Sequence, residues 1–157
     1  MSEAPAAGDI PEGFKPFQMP GPFSESCGPF YYRKEEDSRY GYGFHAEARH
    51  TNPYGVVHGG VLVTFADTFM GRSVVAAAKC ACATITLNTE FIAGGRPGSW
   101  IEGRAEVTRT TGTLAFVRAE IWCGDEMLMT ASGIWRLFPG RSAIHGGRVA
   151  DEQDGGG

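Results

Sequence analysis

From Gly60 to about Ala78 the chain is apolar without a polar face: Val61, Leu62, Val63, Phe65, Ala66, Phe69, Met70, Val74, Val75 and three alanines fall on nearly all sides of a helix. A surface helix carries one apolar stripe, so this one has to be wrapped by the rest of the protein. Four strand-like runs follow, Ala83–Ile92, Trp100–Arg109, Thr113–Cys123 and Met127–Phe138. Turn signals at Gly94–Gly98, Thr110–Gly112 and Gly124–Asp125 separate them. Before the helix, Gly28–Lys34 and Tyr40–Ala48 read as two strands, and His50–Gly60 as a loop rich in Gly, Asn and Pro.

Connections this short favour antiparallel neighbours, since parallel strands need a long crossover. The pattern predicts an α+β protein: a curved antiparallel sheet around a single central helix of about 27 Å. That is the hotdog arrangement. A chain of 157 residues has room for one such domain, placed here at residues 27–138. Residues 1–26 lack periodicity and are read as an extended or disordered arm, on which Phe14, Phe17 and Phe23 offer docking points. Residues 139–157, ending Asp-Gly-Gly-Gly, read as a disordered tail.

Charge narrows the function classes. A net charge of -4 argues against a broad nucleic-acid surface, although a few basic residues can still gather at a phosphate site. The N-terminus has neither the basic start nor the apolar core of a secretory signal. No run approaches the ~18 unbroken apolar residues of a membrane span. Cys27, Cys80, Cys82 and Cys123 lack the further Cys/His pairs of a zinc site and read as reduced thiols, which points to the cytoplasm.

Asp67 is the anomaly: the one carboxylate in the helix, between Ala66 and Thr68. Burying an ionised acid costs several kcal/mol unless it is paired. Arg72 is the nearest cation, but five residues is a poor helical spacing for a pair. A carboxylate in an apolar cleft suits a base or a nucleophile. Gly59-Gly60 at the helix start leaves backbone N–H groups unobstructed at the positive end of the helix dipole. Such a group can stabilise an oxyanion, or the pair can simply make a tight turn. Asn52 can donate its side-chain amide to the same oxygen or cap the loop. His58 fits loop fixation better than general-base catalysis. His45, His50 and His58 lack the acid or Cys that would complete a metal site.

Taken together, His50-x-Asn52-x-x-Gly55-x-x-His58-Gly59-Gly60, then Asp67 and Gly71, resembles the signature of the PaaI-type hotdog acyl-CoA thioesterases. Thr113-Leu-Ala-Phe-Val-Arg-Ala-Glu-Ile121 is similar to that family's penultimate strand, so the resemblance runs from about Tyr40 to Leu137. It implies hydrolysis of acyl-CoA without metal or organic cofactor. Asp67 would attack the thioester or activate water, and the Gly59 amide and Asn52 would polarise the carbonyl. Thr84, or Thr86 as an alternative on the same strand face, would orient the acid or the water. His58, Gly60, Arg109, Gly112 and Thr113 are the further candidates for contacting substrate.

One departure concerns the coenzyme. The family's basic residue before the Thr-Leu-Ala-Phe run is replaced here by Thr111-Gly112, leaving Arg109, Arg96 or Lys79 as substitutes for meeting the CoA phosphates. The arm either covers an acyl pocket or is an inert leader. Phe65, Phe69, Met70 and Phe91 are the apolar candidates for that pocket. Two further expectations follow: a homodimer or dimer of dimers with sites shared between chains, because Gly59 and Asp67 lie about 12 Å apart along one helix, and no nucleic-acid or membrane partner. Two rival readings are a hotdog module that only binds acyl-CoA and a hydratase. The second lacks a His following Asp67 within the helix.

Overall fold

The structure is a computed structural model that describes residues 10–16, 18, 21–37, 39–145 and 148–149. Phe17 and most of the expected tail lie outside them. Strand β1 spans Lys15–Pro16 and helix α1 Pro22–Cys27, followed by β2 (Tyr31–Lys34) and β3 (Tyr40–His45). After the long helix α2 (Gly59–Ala78) come β4 (Ala81–Phe91), β5 (Trp100–Thr110), β6 (Leu114–Cys123) and β7 (Glu126–Phe138). The first seven strands form one antiparallel sheet in the order β1-β2-β3-β5-β6-β7-β4. Beyond it, β8 (Ile144–His145) pairs with β9 (Arg148–Val149).

Two local expectations change. The stretch read as an extended arm contributes β1 to the sheet and the helical turn α1, and Phe14 is buried beside Trp100 with ring centroids 5.0 Å apart. Phe23 stays exposed. Short connections also do not make β4 and β5 neighbours: β4 lies at the far edge on β7. Residues 92–99 carry the chain past the start of α2, held by Val57 N–H to Gly95 O (2.8 Å) and Gly98 N–H to Ala46 O (2.7 Å). A loop of this size with bonded backbone can cross a sheet end, so only β5, β6 and β7 form the expected meander.

The helix lies on the sheet because β5 makes room for it. A Cβ at Gly103 would sit 2.4 Å from the Phe69 ring and 3.0 Å from that of Phe65. Leu62, Phe65, Ala66, Phe69, Met70, Val74 and Val75 are buried, and Phe65 meets Phe44 and Phe69 edge-on at 4.9 and 4.8 Å. Each aromatic pair adds about 0.5–1.5 kcal/mol beyond area burial. The helix ends where Lys79 turns left-handed (φ 56°), its N–H bonded to Val75 O.

The helix is not wrapped on all sides, however. Thr64, Asp67, Thr68 and Gly71 share the face turned away from the core and remain half-buried, with Gly60 exposed. One sheet covers one face of a helix, and the described residues form only one large sheet. Beside that face runs β4, an edge strand bonded only to β7. A bulge at Ile85 shifts its register between Thr84 and Thr86, opposite Trp135 and Ile134; at the next position, Gly133, any Cβ would lie 2.5 Å from Thr86 O. The extra residue resets the alternation, so half-buried Leu87 packs on the core and Thr86 turns outward. Thr86 and Thr84 therefore do not share a face, which removes Thr86 as an alternative.

The segment leading into α2 is anchored from below. Glu47 and His50 cap the 3₁₀ turn Ala48–His50 reciprocally, with the Glu47 N–H donating to His50 Nδ1 at 3.0 Å. Arg49 pairs with Glu47 (2.8 Å) and donates to the carbonyls of Ser26 and Gly28, fastening α1 to this turn. His50 is buried under it, edge-on to Phe44, and its carbonyl accepts the His58 N–H at 2.8 Å.

Burial is the main cause holding His50 below its ordinary pKa of 6.5, with the Arg49 charge adding to it. A depressed folded-state pKa means that the unfolded chain takes the proton first. The stability is therefore complete above about 6.5 and is lost as pH falls through the folded value. The Glu47 carboxyl, held down chiefly by its bond from Arg49, gives way only in a lower window, below its ordinary 4.5. Melting temperature should thus fall between pH 7 and 5 in the wild type, by up to about 1.4 kcal/mol of stability per pH unit. His50→Asn, which keeps an acceptor but cannot titrate, should flatten that segment of the curve. Parallel curves for the two proteins would exclude His50 as the cause.

Candidate active site

Asp67 sits midway along α2 on its open face, with its Oδ1 accepting a 2.7 Å hydrogen bond from Thr84 Oγ1 on β4. That bond is the shortest link between the helix and the edge strand that involves a carboxylate. It fixes the carboxylate from one side and leaves its second oxygen clear of any protein donor among the described residues. Asp67 has no ion pair among them either, and the Arg72 guanidinium lies over the Tyr32 ring at 5.0 Å. The salt-bridge reading of Asp67 therefore has no support in the geometry. Cys82, two residues before Thr84, donates its thiol to Gly71 O at 3.6 Å. Burial first, then Cys80 and Asp67, pushes that thiol up to about 11, so it stays protonated at neutral pH and is no nucleophile.

At the start of α2 the backbone donors divide. His58 Nδ1 accepts the Gly60 N–H at 2.8 Å, and His58 O accepts that of Val61 at 3.0 Å. His58 is thus the helix N-cap, with Nδ1 as acceptor, and the Gly60 N–H is already occupied. Among the described residues the Gly59 N–H has no acceptor, so it is the donor left free where the helix dipole is most positive. Gly59 also lies close to the end of the Phe91 side chain. A Cβ there would lie 2.8 Å from the Phe91 ring.

Asn52 caps its own loop: its Oδ1 accepts from the N–H of Tyr54 (2.9 Å) and of Val56 (3.3 Å). The amide NH₂ end remains to donate, so the capping and polarising readings use different atoms and are compatible. The Thr51–Val57 bridge closes the loop and returns it to α2. Arg109, Gly112 and Thr113 are brought together at the exposed β5–β6 turn, with Arg109 beside the bulge that follows Val107. No hydrogen bond or ion pair among the described residues joins them to Gly59 or Asp67.

The structure therefore unites Asp67 with Thr84, and the Asn52 loop with His58 and Gly59, as two separate groups on one chain. It also exposes a feature the sequence reading passed over, the clamp of Glu47, Arg49 and His50 on α1. The spacing Glu-x-x-His could have signalled a capped turn. The bond to α1 could not be read, because its acceptors are backbone carbonyls more than twenty residues away.

The model of the thioesterase superfamily matches residues 54–130, from the loop before α2 to the start of β7. A Pseudomonas aeruginosa protein named "Putative esterase PA0474" is 28% identical over 131 residues, which cover 82% of this chain and 98% of that protein. Among solved structures, the BH2602 protein of Bacillus halodurans with CoA superposes at a TM-score of 0.64, with 22% identity over 70% of this chain and 74% of its own. The PaaI protein from the phenylacetic acid degradation operon of E. coli superposes at 0.67, with 16% identity over 76% and 86%. The family match spans the end of the loop, the helix bearing Asp67 and most of the strands around it, and the solved structures share the sheet wound on that helix: over residues 54–130 the chain is similar to the thioesterase superfamily, and it has the hotdog fold.

Proposed function

We propose that this protein hydrolyses acyl-CoA thioesters to the free acid and CoA, with Asp67 as the reacting carboxylate. The observation that carries the reading is the Asp67–Thr84 bond on the open face of α2: an oriented carboxylate whose second oxygen meets no donor and no cation among the described residues. Either Asp67 attacks the thioester carbon and water then hydrolyses the acyl anhydride, or it takes a proton from water as the water attacks. In both routes the carbonyl oxygen gains negative charge, and the Gly59 N–H and the Asn52 amide are the donors for it. The C–S bond then breaks and CoA leaves as the thiol. The Bacillus halodurans structure with CoA supports CoA as the thiol carrier. The exposed β5–β6 turn offers Arg109, Gly112 and Thr113 to the rest of the coenzyme. A protein that only binds acyl-CoA would not require the oriented acid.

The two groups must come from two chains. Asp67 and Gly59 are about 12 Å apart along a rigid helix, whereas both have to lie about 3 Å from one reacting centre. The half-buried face of α2 and the edge of β4 left unpaired among the described residues, with Ile85 and Ile92 more than half exposed, form a surface still to be covered. A two-fold dimer through this surface sets two α2 helices antiparallel, so that each Asp67 meets the partner's helix start.

Asp67→Asn should lower kcat for a hydrolysed acyl-CoA by at least about 100-fold, the scale of a lost general base, with the melting temperature retained. Retained activity would remove Asp67 from the mechanism, and unfolding would make it structural. The shared site is tested by refolding equal amounts of Asp67→Ala and Asn52→Ala chains together. About half the dimers are mixed and one of the two sites in each is intact, so roughly a quarter of wild-type activity should return. If mixing restores nothing, each site lies within one chain.

A further inference from the structure

Four apolar side chains were candidates for the acyl pocket, and the fold separates them. Phe65, Phe69 and Met70 are fully buried between α2 and the sheet, at 0% exposure, so a ligand could reach them only by unpacking the core. Phe91 is 57% exposed. It ends β4 on the side of the strand that faces the helix start, near enough to Gly59 that a Cβ there would meet its Cε1 at 2.8 Å and its Cζ at 3.1 Å. Gly59, whose N–H has no acceptor among the described residues, thus has an aromatic ring as its neighbour, with much of the ring's surface still open.

The surroundings of that ring are hydrocarbon. Ile92, next in sequence, is 56% exposed. The chain then passes so close to the Asn52 loop that Cβ atoms at Gly94 and Gly95 would lie 3.3 Å from Val56 and 3.2 Å from Val57. Ile92 and Ala93 are secured by their N–H groups to Leu128 O, which fixes the end of β4 against β7. Phe91 therefore offers an apolar, backbone-anchored wall beside Gly59, and its ring carries no nitrogen or oxygen to pair with a polar group. The pantothenate amides and phosphates of CoA would gain no polar partner on such a surface. A hydrocarbon chain would lose water from both sides by lying on it.

We infer that Phe91 determines acyl specificity, its open ring being the surface on which the carbon chain of the acyl group packs while the thioester carbonyl meets the Gly59 N–H. The substrates are then thioesters with an extended apolar acyl chain in preference to acetyl. This rests on the thioesterase reading above and adds the substrate class to it. In the shared-site dimer the wall comes from the chain that provides Gly59, so Phe91 and the partner's acid face each other across the reacting carbon.

The test compares hexanoyl-CoA with acetyl-CoA on wild type, Phe91→Ala and Phe91→Leu. Wild type should prefer hexanoyl-CoA in kcat/KM. Phe91→Ala should cut that preference by roughly 10-fold or more, the scale on which apolar pockets discriminate, while Phe91→Leu keeps most of it. The same comparison is made on Kd by calorimetry in an Asp67→Asn background, where no turnover is needed. An unchanged hexanoyl-to-acetyl ratio in Phe91→Ala, or an equal loss for both thioesters, overturns the assignment. If wild type releases thiol from neither substrate, the thioesterase reading fails. The Kd ratio then still decides whether Phe91 selects the acyl chain. Because Phe91 is more than half exposed, Phe91→Ala should melt with the wild type, and Phe91→Leu provides the folded comparison if it does not.

Discussion

Gly103 allows α2 to lie directly on β5, because any side chain there would enter the volume of the Phe69 and Phe65 rings. That close approach fixes the depth of the helix in the curve of the sheet, and with it every position along the helix. Asp67 emerges on the opposite side, level with Thr84, because Phe65, Phe69 and Met70 are pinned beneath it. If the helix stood off by the thickness of a methyl group, the 2.7 Å Asp67–Thr84 bond would open while the core lost its aromatic contacts. Packing and candidate chemistry thus share one constraint.

The two ends of the site are held by different devices. Asp67 relies on the edge strand, and the bulge at Ile85 lets β4 present Thr84 to the helix and still turn Leu87 into the core. The Gly59 end relies on the loop: His58 caps α2, the Asn52 side chain braces the loop from within, and the Glu47–Arg49–His50 turn ties it to α1. The N-terminal segment is therefore integral to the floor of the loop. It also explains how a buried imidazole can sit so near the helix start: α1 and Phe44 exclude water from it, and that exclusion keeps it neutral.

A half-buried helix face bearing Thr64, Asp67, Thr68 and Gly71, a strand edge unpaired among the described residues and exposed Ile85 and Ile92 are each a cost in a solitary chain. The proposed dimer would cover them at the place where the proposed site needs a second chain. The surface requirement and the chemical requirement have one geometric solution, which is why the proposed reaction and the proposed dimer stand together.

Much of this was legible in the amino-acid order. The long apolar run located α2 to within one residue, and turn residues marked β5, β6 and β7 nearly as closely, because these signals are local. Asp67 stood out for the same reason: a carboxylate within an apolar helix conflicts with its own neighbours. Tertiary structure alone decided the rest. Phe65 and Phe91 are equally apolar as residues, yet the first is sealed in the core and the second opens beside Gly59, since burial depends on which segments pack together. Thr84 and Thr86 were equivalent by strand alternation until a bulge opposite Trp135 and Ile134 separated them. The arm looked structureless because its order comes from Arg49, Trp100 and the edge of β2, contacts made across 15 to 86 residues of chain that no local pattern records.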